Sequence, residues 1–231
     1  MIEAIGVVVP VHDEERDLAT CLASIRRAAK HPELAAISVR ISVVLDRCSD
    51  ASGEIASQML VIADRIAETR AGNVGVARNI GFDLVRRAES GLDDGDLWLA
   101  TTDADSIVPD TWLARQVRLA NSGADAIAGT IEIEDWDEQP AGARARFDRR
   151  YEIAPDGTHG HVHGANLGVR SSTLAAVGGM PRAALAEDHA LISLITAHGA
   201  SIARPATLCV QTSARRESRA PGGFSDFLRH L

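Results

Sequence analysis

The sequence predicts an α/β protein with a mostly parallel, doubly wound sheet covered by helices on both faces. Two observations carry this. Short β-branched runs alternate with amphipathic helical patterns along the chain, the signature of βαβ units. Polar clusters follow three of the strand runs, at 10–12, 46–48 and 103–105, where open parallel sheets bind their ligands.

Residues 5–9 are β-branched and end at Pro10, the pattern of a buried parallel strand. Asp13, Glu14 and Glu15 come next. They are expected to open a helix through Leu18, Cys21, Leu22 and Ile25, because acidic residues in a first turn suit the helix dipole. Residues 39–45 form the second strand, and the turn 50–53 leads into a helix around 55–62. A third helix spans 74–88. The short strand 97–100 runs into Thr101-Thr102-Asp103-Ala104-Asp105. Residues 112–119 are helical and 126–133 form a strand. The charged stretch 134–150 is an exposed helix or a mobile connection. Residues 171–177 form a short helix closed by Gly178-Gly179, and 186–198 form another that opens with Glu187-Asp188. The tail is basic over 215–219 and flexible after Pro221-Gly222-Gly223.

Composition bounds the function. The chain has 231 residues, 24 Lys+Arg against 32 Asp+Glu, and a net charge of −8. That balance argues against a nucleic-acid binder, which needs a basic face. Only 3% of residues are aromatic, so Ala, Val, Leu and Ile must build the core. Cys21, Cys48 and Cys209 are too scattered for a disulfide framework or zinc ribbon and fit a reducing, cytoplasmic setting. No stretch approaches the roughly 18 apolar residues of a membrane span, so any membrane contact is expected to be peripheral.

Several clusters carry chemistry. Asp103 and Asp105, alternate carboxylates just past a strand, suit one hard divalent cation, or else an Asx-rich turn. In 72–79, two glycines precede a helix carrying Arg78. Backbone and arginine there suit a phosphate, with a plain glycine turn as the alternative. The spacing is neither G-x-G-x-x-G nor a P-loop. His159, His161 and His163 would share one face of a strand and suggest a metal, an exposed loop, or one histidine lining an acceptor pocket. Glu187 and Asp188 either cap their helix or supply a general base. Arg215 and Arg216 are a solvated run or a diphosphate clamp.

The order of these motifs resembles the family 2 glycosyltransferases, across about residues 5–220. The resemblance implies a GT-A fold: one domain over 1–231, with a nucleotide-sugar half (1–108), an acceptor-side half (109–220) and a flexible tail (221–231). It places Pro10, His12, Glu14 and Asp46 against the nucleoside of the donor, UDP by family habit. Arg78 falls near the diphosphate and sugar. Asp103, Ala104 and Asp105 match the D-x-D motif that meets Mg²⁺ or Mn²⁺, with Asp105 the more direct ligand. Asp188 matches the carboxylate that deprotonates the acceptor hydroxyl, with Glu187 beside it. His163, Gly164, Ala165 and Asn166 lie on the acceptor side. Inversion by one in-line displacement is implied. His12 stands where many members have Asn, Leu45-Asp46-Arg47-Cys48 where Asp-Asp-Gly-Ser is usual, and no C-terminal metal histidine is evident. The Q-x-x-R-W element of processive synthases is missing, which favours single transfer to a small or carrier-bound acceptor. Two other readings stand beside this one: a metal-dependent hydrolase on the three histidines, and a non-catalytic nucleotide-sugar-binding module.

Overall fold

The computed structural model describes residues 1–133, 135–137, 139–183 and 185–213. Its centre is β1 (Ala4–Val11), in which only Pro10 escapes full burial. On one side β1 pairs in parallel with β2 (Ser38–Asp46), which pairs in parallel with β3 (Arg65–Thr69). On the other side it pairs in parallel with β4 (Leu97–Thr101). The sheet continues from β4 through β8 (Leu167–Arg170) and β6 (Ala126–Ala128) to β9 (Ile202–Ala203). β8 is antiparallel to both of its neighbours. The order β3-β2-β1-β4-β8-β6-β9 reverses between β1 and β4, and such a switch point leaves a crevice at the strand ends.

Alternate side chains of a strand face opposite ways. Ile5, Val7, Val9 and Val11 therefore join one core with the apolar stripes of α1 (Leu18–Ala29) and α4 (Trp112–Asn121). Ala4 and Val8 join a second core with α3 (Val74–Ala88), α6 (Ser171–Ala176) and α7 (Glu187–Ala197). Each fully buried Val, Leu or Ile contributes roughly 1.5–3 kcal/mol, so two cores of this size hold the sheet between its helices. Aromatic residues are few but well used: Trp98 and Trp112 are fully buried, and their ring N–H groups donate to Gln116 Oε1 at 2.8 Å and to Asn166 Oδ1 at 2.9 Å.

Three sequence expectations are corrected. Asp13, Glu14 and Glu15 do not open a helix: α1 starts at Leu18 with no acidic residue in its first turn. Asp13 instead sits at φ +53°, and its carboxylate accepts from the Ser49 amide at 2.6 Å. The Glu14 amide donates to Ser52 Oγ at 2.8 Å. The acidic run thus ties the loop after β1 to the loop that enters α2 (Ser52–Met59). That helix also stops short of residue 62, because the Val61 amide donates to Asp64 Oδ2 at 2.8 Å rather than continuing the helix. The expected strand 126–133 is broken at Gly129. Its first part is β6; its second, β7 (Thr130–Glu132), enters a separate sheet of order β5-β10-β7 with β5 (Ser106–Ile107) and β10 (Cys209–Thr212).

Gly129 is where the chain leaves one sheet for the other. Its amide donates to the Asn166 carbonyl at 3.0 Å, and a Cβ there would lie 2.6 Å from the Leu208 carbonyl oxygen and overlap the Asn166 side chain. Gly129→Ala is therefore expected to cost about 1–3 kcal/mol by overpacking. Urea denaturation checks this, with the loss appearing in the midpoint at an unchanged m-value; a wild-type midpoint would contradict it.

Candidate active site

The parallel strands β1, β2 and β4 end on one edge of the sheet. The segment Gly164–Asn166 reaches the same edge, because Leu167 of antiparallel β8 lies opposite Thr101. His12, Asp46, Asp103 and Gly164 therefore share an edge although up to about 150 residues separate them. Arg78 reaches this edge from α3 and is only 2% exposed. Its Nε donates to Thr101 Oγ1 at 3.2 Å and its Nη2 to Asp103 Oδ1 at 2.6 Å, while Nη1 pairs with Glu187 Oε1. Burial alone would lower the arginine's pKa, but Asp103, Glu187 and Asp188 outweigh it and raise it. Gly164 is a glycine for this reason: a Cβ there would strike the Arg78 guanidinium.

Asp188 follows Glu187 in the first turn of α7 but faces elsewhere. Its Oδ2 accepts from the Gly164 amide at 2.9 Å, and its Oδ1 from the His189 amide at 2.8 Å. Each carboxylate oxygen keeps a second lone pair for a hydroxyl. Glu187 is 8% exposed and committed to Arg78, so the two adjacent carboxylates have different surroundings. Asp103 and Asp105 are half-buried and flank buried Ala104. They offer two hard oxygen ligands, the donor type that fits Mg²⁺ or Mn²⁺; such ions take their remaining ligands from water and phosphate.

The loops after β1 and β2 are built differently from the expectation. Asp46 is only 6% exposed, and its two oxygens accept from the Gly72 and Asn73 amides, each at 2.9 Å. Those amides, proposed from sequence as phosphate donors, already serve Asp46, and Asn73 caps α3 by accepting from the Val76 amide at 2.9 Å. His12 is exposed, and its Nδ1 donates to the Asp46 carbonyl at 2.7 Å. Pro10 is half-buried and Glu14 buried. Among the described residues, Asp13, Cys48 and Asp50 form a trio of donor atoms close enough for one cation, but Asp13 Oδ1 is held by the Ser49 and Asp50 amides.

Of the residues expected on the acceptor side, Asn166 is fully buried and braces its surroundings rather than facing outward. Its Nδ2 donates to the Thr130 and Leu208 carbonyls, both at 2.8 Å, and its Oδ1 accepts from Trp112. Ala165 is buried beside it. The three histidines do lie on one face, as their spacing implies, but in an irregular segment. Their rings run nearly parallel, 5.7 Å and 6.1 Å apart. Nε2 of His161 meets the Glu152 carbonyl at 2.9 Å, and Nε2 of His163 meets the Tyr151 hydroxyl at 3.0 Å. These bonds do not support a histidine metal centre. Sequence reasoning missed Thr101 and Tyr151; neither carries a local pattern beyond its strand or helix end. Arg215 and Arg216 lie outside the described residues.

Solved structures share this fold. Staphylococcus aureus TarS 1–349 in complex with UDP-GlcNAc aligns with a TM-score of 0.65 at 14% identity, covering 97% of this chain and 62% of that one. The mannosyltransferase PcManGT from Pyrobaculum calidifontis, in complex with GDP-Man and Mn²⁺, aligns with a TM-score of 0.69 at 18% identity, covering 93% and 58%. The chain thus spans less than two thirds of either neighbour, and at these identities the likeness is one of fold. The fold is GT-A. Residues 6–177 match Glycosyl transferase family 2, and the chain belongs to that family. No curated protein matches it in sequence.

His163 yields a pH prediction. Burial first, then His161, His189 and His159, push its pKa down to about 3. The Tyr151 hydroxyl accepts from the Ile131 amide at 2.9 Å, which leaves its own hydrogen for an unprotonated His163 Nε2. An unfolded histidine takes its proton near pH 6.5. Protonation therefore favours the unfolded chain below that pH, and stability falls as pH drops from about 6.5 toward 3, by up to about 1.4 kcal/mol per unit. Denaturation from pH 7 to pH 4 should show the wild type losing stability faster than His163→Gln. Parallel profiles would contradict the buried, neutral state.

Proposed function

We propose that this chain is an inverting, non-processive glycosyltransferase that moves a sugar from a nucleotide-sugar, UDP-linked, to an acceptor hydroxyl with the aid of Mg²⁺ or Mn²⁺. One observation carries the reading: buried Arg78 bonds both the D-x-D carboxylate Asp103 and Glu187, whose neighbour Asp188 is the candidate base. Membership of the family and the nucleotide-sugars held by the fold neighbours support it.

The donor's nucleoside lies along Pro10, His12 and Glu14, in a pocket that Asp46 shapes by fixing the 72–73 turn. Asp103 and Asp105 would hold the cation. When bound, it neutralises charge on the departing diphosphate, which removes the need for a separate acid. Asp188 accepts the acceptor's hydroxyl proton as the new C–O bond forms and the bond to the diphosphate breaks. Glu187 orients Arg78. His163, Gly164 and Ala165 form the acceptor-side wall, with Asn166 bracing it from behind.

Thermal stabilisation by UDP- and GDP-sugars, with and without Mn²⁺, tests the reading. At about 100 times the dissociation constant, a bound donor adds roughly 2.7 kcal/mol. The expected result is a rise in melting temperature that Mn²⁺ enlarges and Asp105→Ala abolishes; no response to any nucleoside diphosphate would contradict it. A second measurement separates chemistry from binding. Asp188→Asn keeps the shape but accepts no proton, so transfer should fall by about 10²–10⁴-fold while donor affinity stays near wild type. Helix capping alone would leave that variant nearly silent, since Asn is itself a good cap.

A further inference from the structure

We infer that Asn73 and Asn79 are positioning residues: from α3 they hold the backbone of residues 180–183 and so set where the start of α7, with its candidate base, stands; this rests on the transferase reading above. Asn79 holds Met180 through both ends of its carboxamide. Its Nδ2 donates to the Met180 carbonyl at 2.7 Å, and its Oδ1 accepts from the Met180 amide at 2.8 Å. Asn73 Nδ2 donates to the Ala183 carbonyl at 3.1 Å. Gly75 stands between the two asparagines, and a Cβ there would overlap the Pro181 carbonyl. These bonds span 101 and 110 residues of chain, so they join distant segments rather than complete a local turn.

Asn73 serves two other partners as well. Its amide donates to Asp46 Oδ2 at 2.9 Å, and its Oδ1 caps α3. One residue thus joins the end of β2 to the segment ahead of α7. Arg78, the residue before Asn79, instead bonds Asp103 and Glu187. The same helix therefore holds the approach to α7 by its backbone and the first carboxylate of α7 by its side chain.

The backbone between these holds is strained. Ala186, immediately before Glu187, sits at φ +54° and ψ +40°. That region is disfavoured for a residue with a Cβ, and such a conformation persists only where its surroundings impose it. On one side the surroundings are the asparagine bonds to 180 and 183. On the other they are the Arg78–Glu187 pair and the Gly164 amide on Asp188. Freed from the asparagines, Ala186 relaxes and Asp188 shifts with it. A misplacement of about 1 Å at a reacting group costs up to about 10²-fold in rate.

Two variants separate positioning from folding. Asn73→Ser keeps a good helix cap and the amide that serves Asp46, but its side chain is too short for Ala183. Asn79→Ala removes both bonds to Met180. Hydrogen exchange by NMR on the full chain compares the Gly164 amide, whose hydrogen Asp188 accepts, with the amides of β1, which report the whole fold. The expected result is that each variant speeds exchange at Gly164 by at least about tenfold more than at β1. Gly164 accelerating no more than β1 would overturn the inference, because the asparagines would then serve stability alone. In transfer assays each variant should lower kcat by about 10–10²-fold at a donor KM near wild type; a raised donor KM at unchanged kcat would also overturn it. Failure of the transferase reading shows separately, as no response of the wild type to any nucleotide, and takes the positioning role with it.

Discussion

A single buried guanidinium organises the site. Arg78 is taken out of water on α3, and a charge so placed is tolerated only where counter-charges and hydrogen bonds meet it. Thr101 at the end of β4, Asp103 in the turn beyond and Glu187 at the start of α7 supply them. Three elements distant in sequence are thereby held to one point. Gly164 must stay without a side chain to make room, and its amide then fixes Asp188. The candidate base Asp188, the turn at 103–105 and the segment 164–166 are positioned relative to one another through this one cation.

The second constraint is the break at Gly129. A continuous strand over 126–133 would have extended the large sheet. Breaking it sends β7 into a second sheet with β10 and with β5, the strand that follows Asp105. Asn166 locks the junction, since its carboxamide bonds Thr130, Leu208 and Trp112. The small sheet joins β5, which follows Asp105, to β7 through β10, so the candidate site is framed by both sheets.

Legibility in the sequence follows the range of the forces involved. The alternation of strands and helices, the D-x-D turn and the Glu187-Asp188 helix start are local patterns, and all three stand where the spacing places them. β3 was not legible because it is a polar, largely exposed edge strand. The acidic run 13–15 misled because a carboxylate bonds backbone amides of a neighbouring loop as readily as its own helix terminus. Asp46 and Asn166 looked like ligand contacts, yet tertiary hydrogen bonds bury both. The small aromatic cluster has no sequence signature, since Trp136, Phe147 and Tyr151 meet only after the chain turns at Gly129.

The central claim, that Arg78 couples the turn at 103–105 to the helix bearing the candidate base, is tested most directly by a double-mutant cycle on unfolding free energy with Asp103→Asn and Glu187→Gln. Both residues contact Arg78 and neither contacts the other in the bonds described. If the cation joins them, the double variant loses more than the two single variants combined, because the guanidinium is left buried with neither partner. The interaction energy should then be about 0.5–3 kcal/mol, the range for residues in one network. Additivity within about 0.3–0.5 kcal/mol, as found for independent sites, would contradict it.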